Sequence, residues 1–147
     1  MRAHSYHHHA RGFTLIEIML VVGIMALLAA FAFPAFARAR IAANEMVSIS
    51  TVRTLSTSLE GFRSAQSPPA YPVDLTELSD SLPAYIDTVL TSGLRQGYEF
   101  AYELLNESQY EIVASPETPS VTGIREFYVD ETGVIRVGTD ETGPPVE

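Results

Sequence analysis

The feature that most constrains this chain is the run from Phe13 to Phe36, in which nearly every residue is apolar and Glu17 alone is charged. As a helix, about twenty such residues reach across a bilayer core of about 30 Å. Arg38 and Arg40 then stop the run. The sequence therefore predicts a membrane-spanning helix over 13–36, with the rest of the 147-residue chain available for one small domain.

What precedes the run is a short, polar, basic leader, Met1 to Gly12, carrying Arg2 and Arg11. A conventional secretory signal places its apolar core before the cleavage site. Here the order is reversed, so a cut at Gly12 would remove the leader and leave the apolar segment on the mature protein. All four histidines (His4, His7, His8 and His9) lie in the leader, and the chain has no cysteine. A mature chain starting at Phe13 would thus lack the commonest general base, the commonest zinc ligands and the most reactive nucleophile. No catalytic residue, cofactor or metal ligand is expected, and an enzymatic role is disfavoured. The adjacent His7, His8 and His9 could bind a metal, but they sit in the segment expected to be removed.

Glu17 stands about one helical turn from Phe13. A carboxylate at membrane depth costs on the order of 3 kcal/mol, and two readings of it stay open. It can lie near the interface, eased by the positive end of the helix dipole. Alternatively, it can pair with a cation that exists only after processing, the α-amino group of Phe13. Pro34 removes one helical hydrogen bond and bends the axis, which a lone membrane helix would also tolerate. Gly23 permits close helix approach, a weak signal by itself.

The string Gly12-Phe13-Thr14-Leu15-Ile16-Glu17, followed by an apolar helix with Gly23 and Pro34, resembles the N-terminal signature of type IV prepilins and type II secretion pseudopilins. The resemblance implies cleavage between Gly12 and Phe13 by a prepilin peptidase on the cytoplasmic side, and N-methylation of Phe13. It implies a subunit-docking role for Glu17, and at Pro34 the helix kink or local melting that accompanies packing into a filament. The implied protein is a structural subunit of a type IV pilus-like filament, with a secretion pseudopilin as the alternative. Its partners would be copies of itself, other pilin-like subunits, an inner-membrane assembly platform and the lipid bilayer. The subunit would sit in the inner (cytoplasmic) membrane with its head outside the cytoplasm, then enter a cell-surface or periplasmic filament. Counting flanking arginines does not orient the span, because Arg2 and Arg11 balance Arg38 and Arg40; the resemblance does. A reading from another class is a single-span membrane protein whose outer domain binds a ligand or partner.

Beyond the span, residues 37–64 keep a helical period. Ala42, Met46, Ile49, Val52, Leu55, Leu59 and Phe62 form an apolar stripe, and Ser48, Ser50, Thr51, Thr54 and Ser58 face the other way. Glu45, Arg53, Glu60 and Arg63 read as a solvated face. Gly61 and Ser67-Pro68-Pro69 end the helix. The head, 65–137, opens with a turn-rich linker. Two short helices follow, one at Leu75–Ser79 behind the capping-box-like spacing Asp74 to Glu77, the other at Pro83–Leu90.

Period-two alternation then predicts three or four antiparallel strands in a meander. Tyr98, Phe100, Tyr102 and Leu104 share one face, followed by Tyr110, Ile112 and Ala114, then Phe127 and Val129, with Val134–Val137 last. The tail, 138–147, is rich in Gly, Pro and acidic residues and is expected to fray. The fold class is α+β, a long N-terminal helix packed against a small antiparallel sheet, as in type IV pilins. Lacking cysteine, the chain departs from pilins that close a C-terminal disulfide loop.

The net charge of −9 is concentrated in the head, where only Arg95, Arg125 and Arg136 oppose the carboxylates from Asp74 onward. Nucleic acid is therefore not an expected partner. Asp130-Glu131 with Asp140-Glu141 could gather around calcium, but acidic turns are usually just solvated. Asn106-Glu-Ser108 fits a glycosylation sequon and equally a hairpin turn.

Overall fold

Helix α1 spans Leu15–Ala65, 51 residues, in the computed structural model, which describes residues 13–146. The chain divides into two compact units between Phe36 and Ala37, so the first part of α1 belongs to one unit and the remainder to the other. Within the second unit the Ser/Thr-rich stretch of α1 stays helical because its hydroxyls bond back to the helix. Thr51 and Ser50 donate to the Val47 carbonyl at 2.8 Å, Thr54 to Ser50 O at 2.9 Å and Thr57 to Arg53 O at 2.9 Å.

After α1 come a short helix α2 (Thr76–Asp80) and a 3₁₀ turn (Thr88–Ser92). Five strands follow: β1 (Leu94–Arg95), β2 (Tyr98–Asn106), β3 (Gln109–Pro116), β4 (Phe127–Asp130) and β5 (Arg136–Val137). They pair antiparallel in sequence order. The protein is α+β, with the later part of the long helix packed on a small antiparallel sheet.

The register lays Phe100 opposite Ala114, Tyr102 opposite Ile112 and Ala114 opposite Phe127. The face that alternation predicted is therefore the one that meets α1. Tyr98, Phe100, Tyr110, Ile112, Ala114, Phe127 and Val129 are buried there against Val52, Leu55, Leu59 and Phe62. Two tyrosine hydroxyls within this core find partners. The Tyr110 hydroxyl donates to Ser56 Oγ at 3.0 Å, and that of Tyr98 to the Arg125 carbonyl at 2.8 Å. Burial pushes both phenols up to about 12, so ionising either one opposes folding at alkaline pH.

The structure departs from the sequence reading in four places. The second short helix, expected at Pro83–Leu90, is a 3₁₀ turn beginning at Thr88, because the Asp87 carboxylate accepts from Val89 N at 3.2 Å and fixes the start there. A strand not foreseen, β1, hairpins onto β2 through Gln96 and Gly97, both with positive φ (51° and 74°) as a tight two-residue connection requires.

The third departure is the tail, which does not fray through Val146. Val137 N donates to Pro144 O at 2.9 Å and Val146 N to Ile135 O at 2.8 Å. The return is possible because residue 143 is glycine; a Cβ there would lie 2.1 Å from the Val137 carbonyl oxygen.

The fourth departure concerns α1 itself. The apolar stripe holds from Val52 to Phe62, but Met46 is 67 % exposed and Ala42 is exposed too. Asn44, Glu45, Ser48 and Thr51 are buried in their stead. At this level the helix meets the loop between β3 and β4 rather than a strand, and a loop presents unpaired backbone groups that need polar partners. Asn44 Nδ2 donates to Thr122 O at 2.8 Å. Glu45 Oε1 accepts from Ile124 N at 3.0 Å and Arg125 N at 3.1 Å, while Oε2 accepts from Arg125 Nε at 2.8 Å and lies 2.7 Å from Nη2. Far from lying on a solvated face, Glu45 is the buried clasp of this loop. Burial by itself would raise its pKa; the bonds from Ile124 and Arg125 outweigh that and hold the carboxyl below its ordinary value of 4.5.

Two expectations follow for the full chain in detergent, read by thermal and denaturant unfolding. A Cβ at Gly123 would fall 2.1 Å from the hydroxyl oxygen of the fully buried Tyr98. Gly123→Ala should therefore cost about 1–3 kcal/mol. Gly61→Ala, which meets only Tyr85 at 3.4 Å in mid-helix, should be neutral or stabilise by up to about 1 kcal/mol. Equal losses from the two substitutions would contradict the packing described.

Glu45→Ala should cost about 1–3 kcal/mol by orphaning two backbone donors. Arg125→Ala, whose side chain is 48 % exposed, should cost about 1 kcal/mol or less. Because the Glu45 pKa is depressed on folding, its contribution is present above 4.5 and is lost as pH falls through the lower folded value. The gap in stability between wild type and Glu45→Ala should then shrink below pH 4.5. A gap unchanged down to strong acid would argue against the charged clasp.

Candidate functional site

The N-terminal unit offers a surface rather than a pocket. From Phe13 to Phe36 every side chain is exposed except that of the half-buried Ala29. Leu15, Ile16, Met25, Leu28, Phe31 and Phe33 are among the large apolar groups left open, each more than half exposed. No residue of the 18-residue apolar window of α1 is buried. Such a helix is long and apolar enough to cross a membrane, and in water it would expose far more contiguous apolar surface than a soluble domain tolerates. Its apolar residues encircle the axis, so it has no polar side to turn outward.

The start of this helix is built by local chemistry. Thr14 precedes the first helical residue, its Oγ1 accepts from Glu17 N at 3.3 Å, and its carbonyl accepts from Ile18 N at 3.3 Å. Thr14 is therefore an N-cap, and Thr14-x-x-Glu17 has the spacing of a capping box. Glu17 falls in the first turn, where the helix dipole favours a negative charge. Its carboxylate makes no ion pair among the described residues. The first of the two readings for Glu17 thus has a geometric basis within the single chain. The second needs an amine that this chain, uncut, does not carry.

Pro34 lies inside α1, which remains helical on both sides of it. The helix gives up the hydrogen bond that residue 34 would have donated to the Ala30 carbonyl. Gly23 has nothing within 4 Å of where a Cβ would stand, so no neighbour in the single chain explains that glycine. Gly12 and the histidines at 4 and 7–9 lie outside the described residues.

The other candidates are held by the head's own turns. Asp130 Oδ1 accepts from Thr132 N, Asp140 Oδ1 from Thr142 N (both 2.9 Å), and Glu131 accepts from Gln109 Nε2 at 3.0 Å. Among the described residues no three carboxylates or histidines converge as metal ligands would. Asn106 is a turn residue with both ends of its amide engaged: Oδ1 accepts from Ser108 N at 2.9 Å, and Nδ2 donates to Gln109 Oε1 at 2.6 Å. What sequence reasoning missed is Glu45. Its neighbour Asn44, an amide adjacent to it on α1, was the available signal that this side of the helix meets backbone.

Residues 7–33 match the family described as the prokaryotic N-terminal methylation motif. A search of curated proteins and of solved structures found no match to the chain. The matched segment contains Gly12, Phe13, Thr14 and Glu17 and most of the exposed apolar helix, and it ends one residue before Pro34. Through this segment the chain carries the prepilin signature of type IV pilins and pseudopilins, the mark of a structural family.

Proposed function

We propose that this chain is a prepilin: a structural subunit clipped between Gly12 and Phe13, N-methylated at Phe13, and assembled into a type IV pilus-like filament. The observation that carries the reading is the coincidence, over one short segment, of the methylation motif with an apolar helix exposed on every side. Processing would be the work of a prepilin peptidase. The bilayer stores the subunit by covering Phe13–Phe36, and neighbouring subunits replace the lipid on assembly. In the membrane Glu17 is costly by about 3 kcal/mol. A neighbour's free Phe13 amine would remove that cost and set the axial register between helices. The same segment is compatible with a pseudopilin of a type II secretion system, since both share the motif.

Two measurements test the reading. In cells with an active prepilin peptidase, intact-mass analysis of the membrane-extracted protein should show a chain that begins at Phe13 and carries one added methyl group. A chain still beginning at Met1 would defeat the proposal. Second, Glu17→Ala should leave the subunit in the membrane yet cut its recovery in sheared filaments by at least about tenfold, as loss of more than 1.4 kcal/mol of subunit attraction requires; Glu17→Asp should restore part of it. Unchanged incorporation of Glu17→Ala would instead favour a single-span protein whose head works without polymerising.

A further inference from the structure

The two edges of the head sheet are finished differently. At β5 the tail returns and bonds to the edge, as described above. At the other edge β1 covers only the start of β2, setting Arg95 opposite Tyr98 and Leu94 opposite Glu99. Phe100 N still donates to Gly93 O at 2.6 Å. Gly93, however, has a φ of 70° and gives its own N–H to Leu90 O at 3.2 Å, so the bond is not returned to Phe100 O. The ladder ends there.

Beyond that point the edge of β2 is bare. Backbone groups along an antiparallel strand point to alternate sides. Because Phe100 N faces β1, the Phe100 carbonyl, the Tyr102 N–H and carbonyl and the Leu104 N–H all point away from β3. Pro116, which has no N–H to give, stands opposite Tyr98, as this phase requires. None of the four groups has a backbone partner among the described residues. A cavity of about 340 Å³ lies against them, between β2 and the segment Val73–Thr76. Asp74 and Glu99 line it, no arginine does, and Glu103 is exposed further along the same edge.

Carbonyl, N–H, carbonyl and N–H at strand spacing are answered by an extended backbone. The side chains of such a strand would alternate, one set beside Glu99 and Glu103, the other entering the cavity beside Val73 and Tyr102. A second copy of this edge would crowd like charges in a chain whose net charge is −9. The chain's own extended tail is acidic and already bonded at β5. We propose that the free edge of β2 accepts, as an added strand, an extended segment of another protein in which basic and aliphatic residues alternate. Every residue involved lies in the second unit, so the inference does not depend on the role of residues 13–36.

The test uses the full chain in an uncharged detergent and three short peptides carrying a dye. One alternates lysine and valine, the second has glutamate in place of lysine, and the third is the lysine peptide N-methylated at alternate residues to remove the N–H groups of one edge. Binding is read by anisotropy and located by amide hydrogen exchange, residue by residue, with the already bonded Phe100 N–H as internal reference. The lysine peptide should bind and slow exchange at Tyr102 and Leu104, and the other two should not. Replacing both exposed carboxylates, Glu99→Gln with Glu103→Gln, should weaken binding about fivefold, the effect of two solvent-exposed ion pairs.

Equal binding by the N-methylated peptide, or binding that leaves exchange at Tyr102 and Leu104 unchanged, reduces the effect to general charge attraction and overturns the added strand. Slow exchange at these two residues without peptide, deepening with protein concentration, overturns it in favour of a second copy. A lysine peptide that fails to bind at millimolar concentration overturns it outright.

Discussion

The rest of the protein depends on what covers the helix that begins at Leu15. Over its first part the apolar residues run right round the axis and, among the described residues, all but the half-buried Ala29 are exposed. Such a surface cannot be left in water, so the segment must sit in lipid or against other helices. From Val52 onward the same helix needs only one covered side, and the chain supplies that cover itself. One helix is thus asked to satisfy two surroundings, and the change from all-round to one-sided hydrophobicity marks where each applies.

Covering the second part requires a sheet of modest size. Five strands in sequence order present alternating aromatic and aliphatic residues to α1. Connections between neighbours are short, and the two tight turns use residues suited to them, Gln96-Gly97 and the Asn106 turn. The longer loop after β3 has no strand partner for its backbone. It is held by a carboxylate and an amide from α1, and a buried carboxylate is stable there because all its contacts are donors. Gly123, pressed against the Tyr98 hydroxyl, lets that loop approach closely enough to be held.

The first unit contrasts with this head in kind. Nothing in the first unit is assembled from distant parts of the chain. Thr14 caps its own helix, Glu17 occupies the first turn, and the apolar surface is contiguous in sequence. A local motif suffices to carry it, which is why the match to the methylation family covers residues 7–33.

Sequence by itself determined the features that are local or periodic. The apolar run, its single carboxylate, the three main strands and the face each one buries were all legible, because hydropathy and period-two alternation directly reflect which side must leave water. The Asp74-to-Glu77 spacing placed the first short helix within one residue at each end. Tertiary structure alone decided the rest. Whether Glu45 and Asn44 face solvent or core depends on a loop some eighty positions away coming to lie over them, which no helical period encodes. The tail pairs with β5 because a glycine at 143 and the Val137 carbonyl are brought within contact by the fold. Hydrophobic patterns announce which surfaces are buried; which polar groups are buried with them depends on the unpaired backbone they meet, and that is known only once the chain has closed on itself.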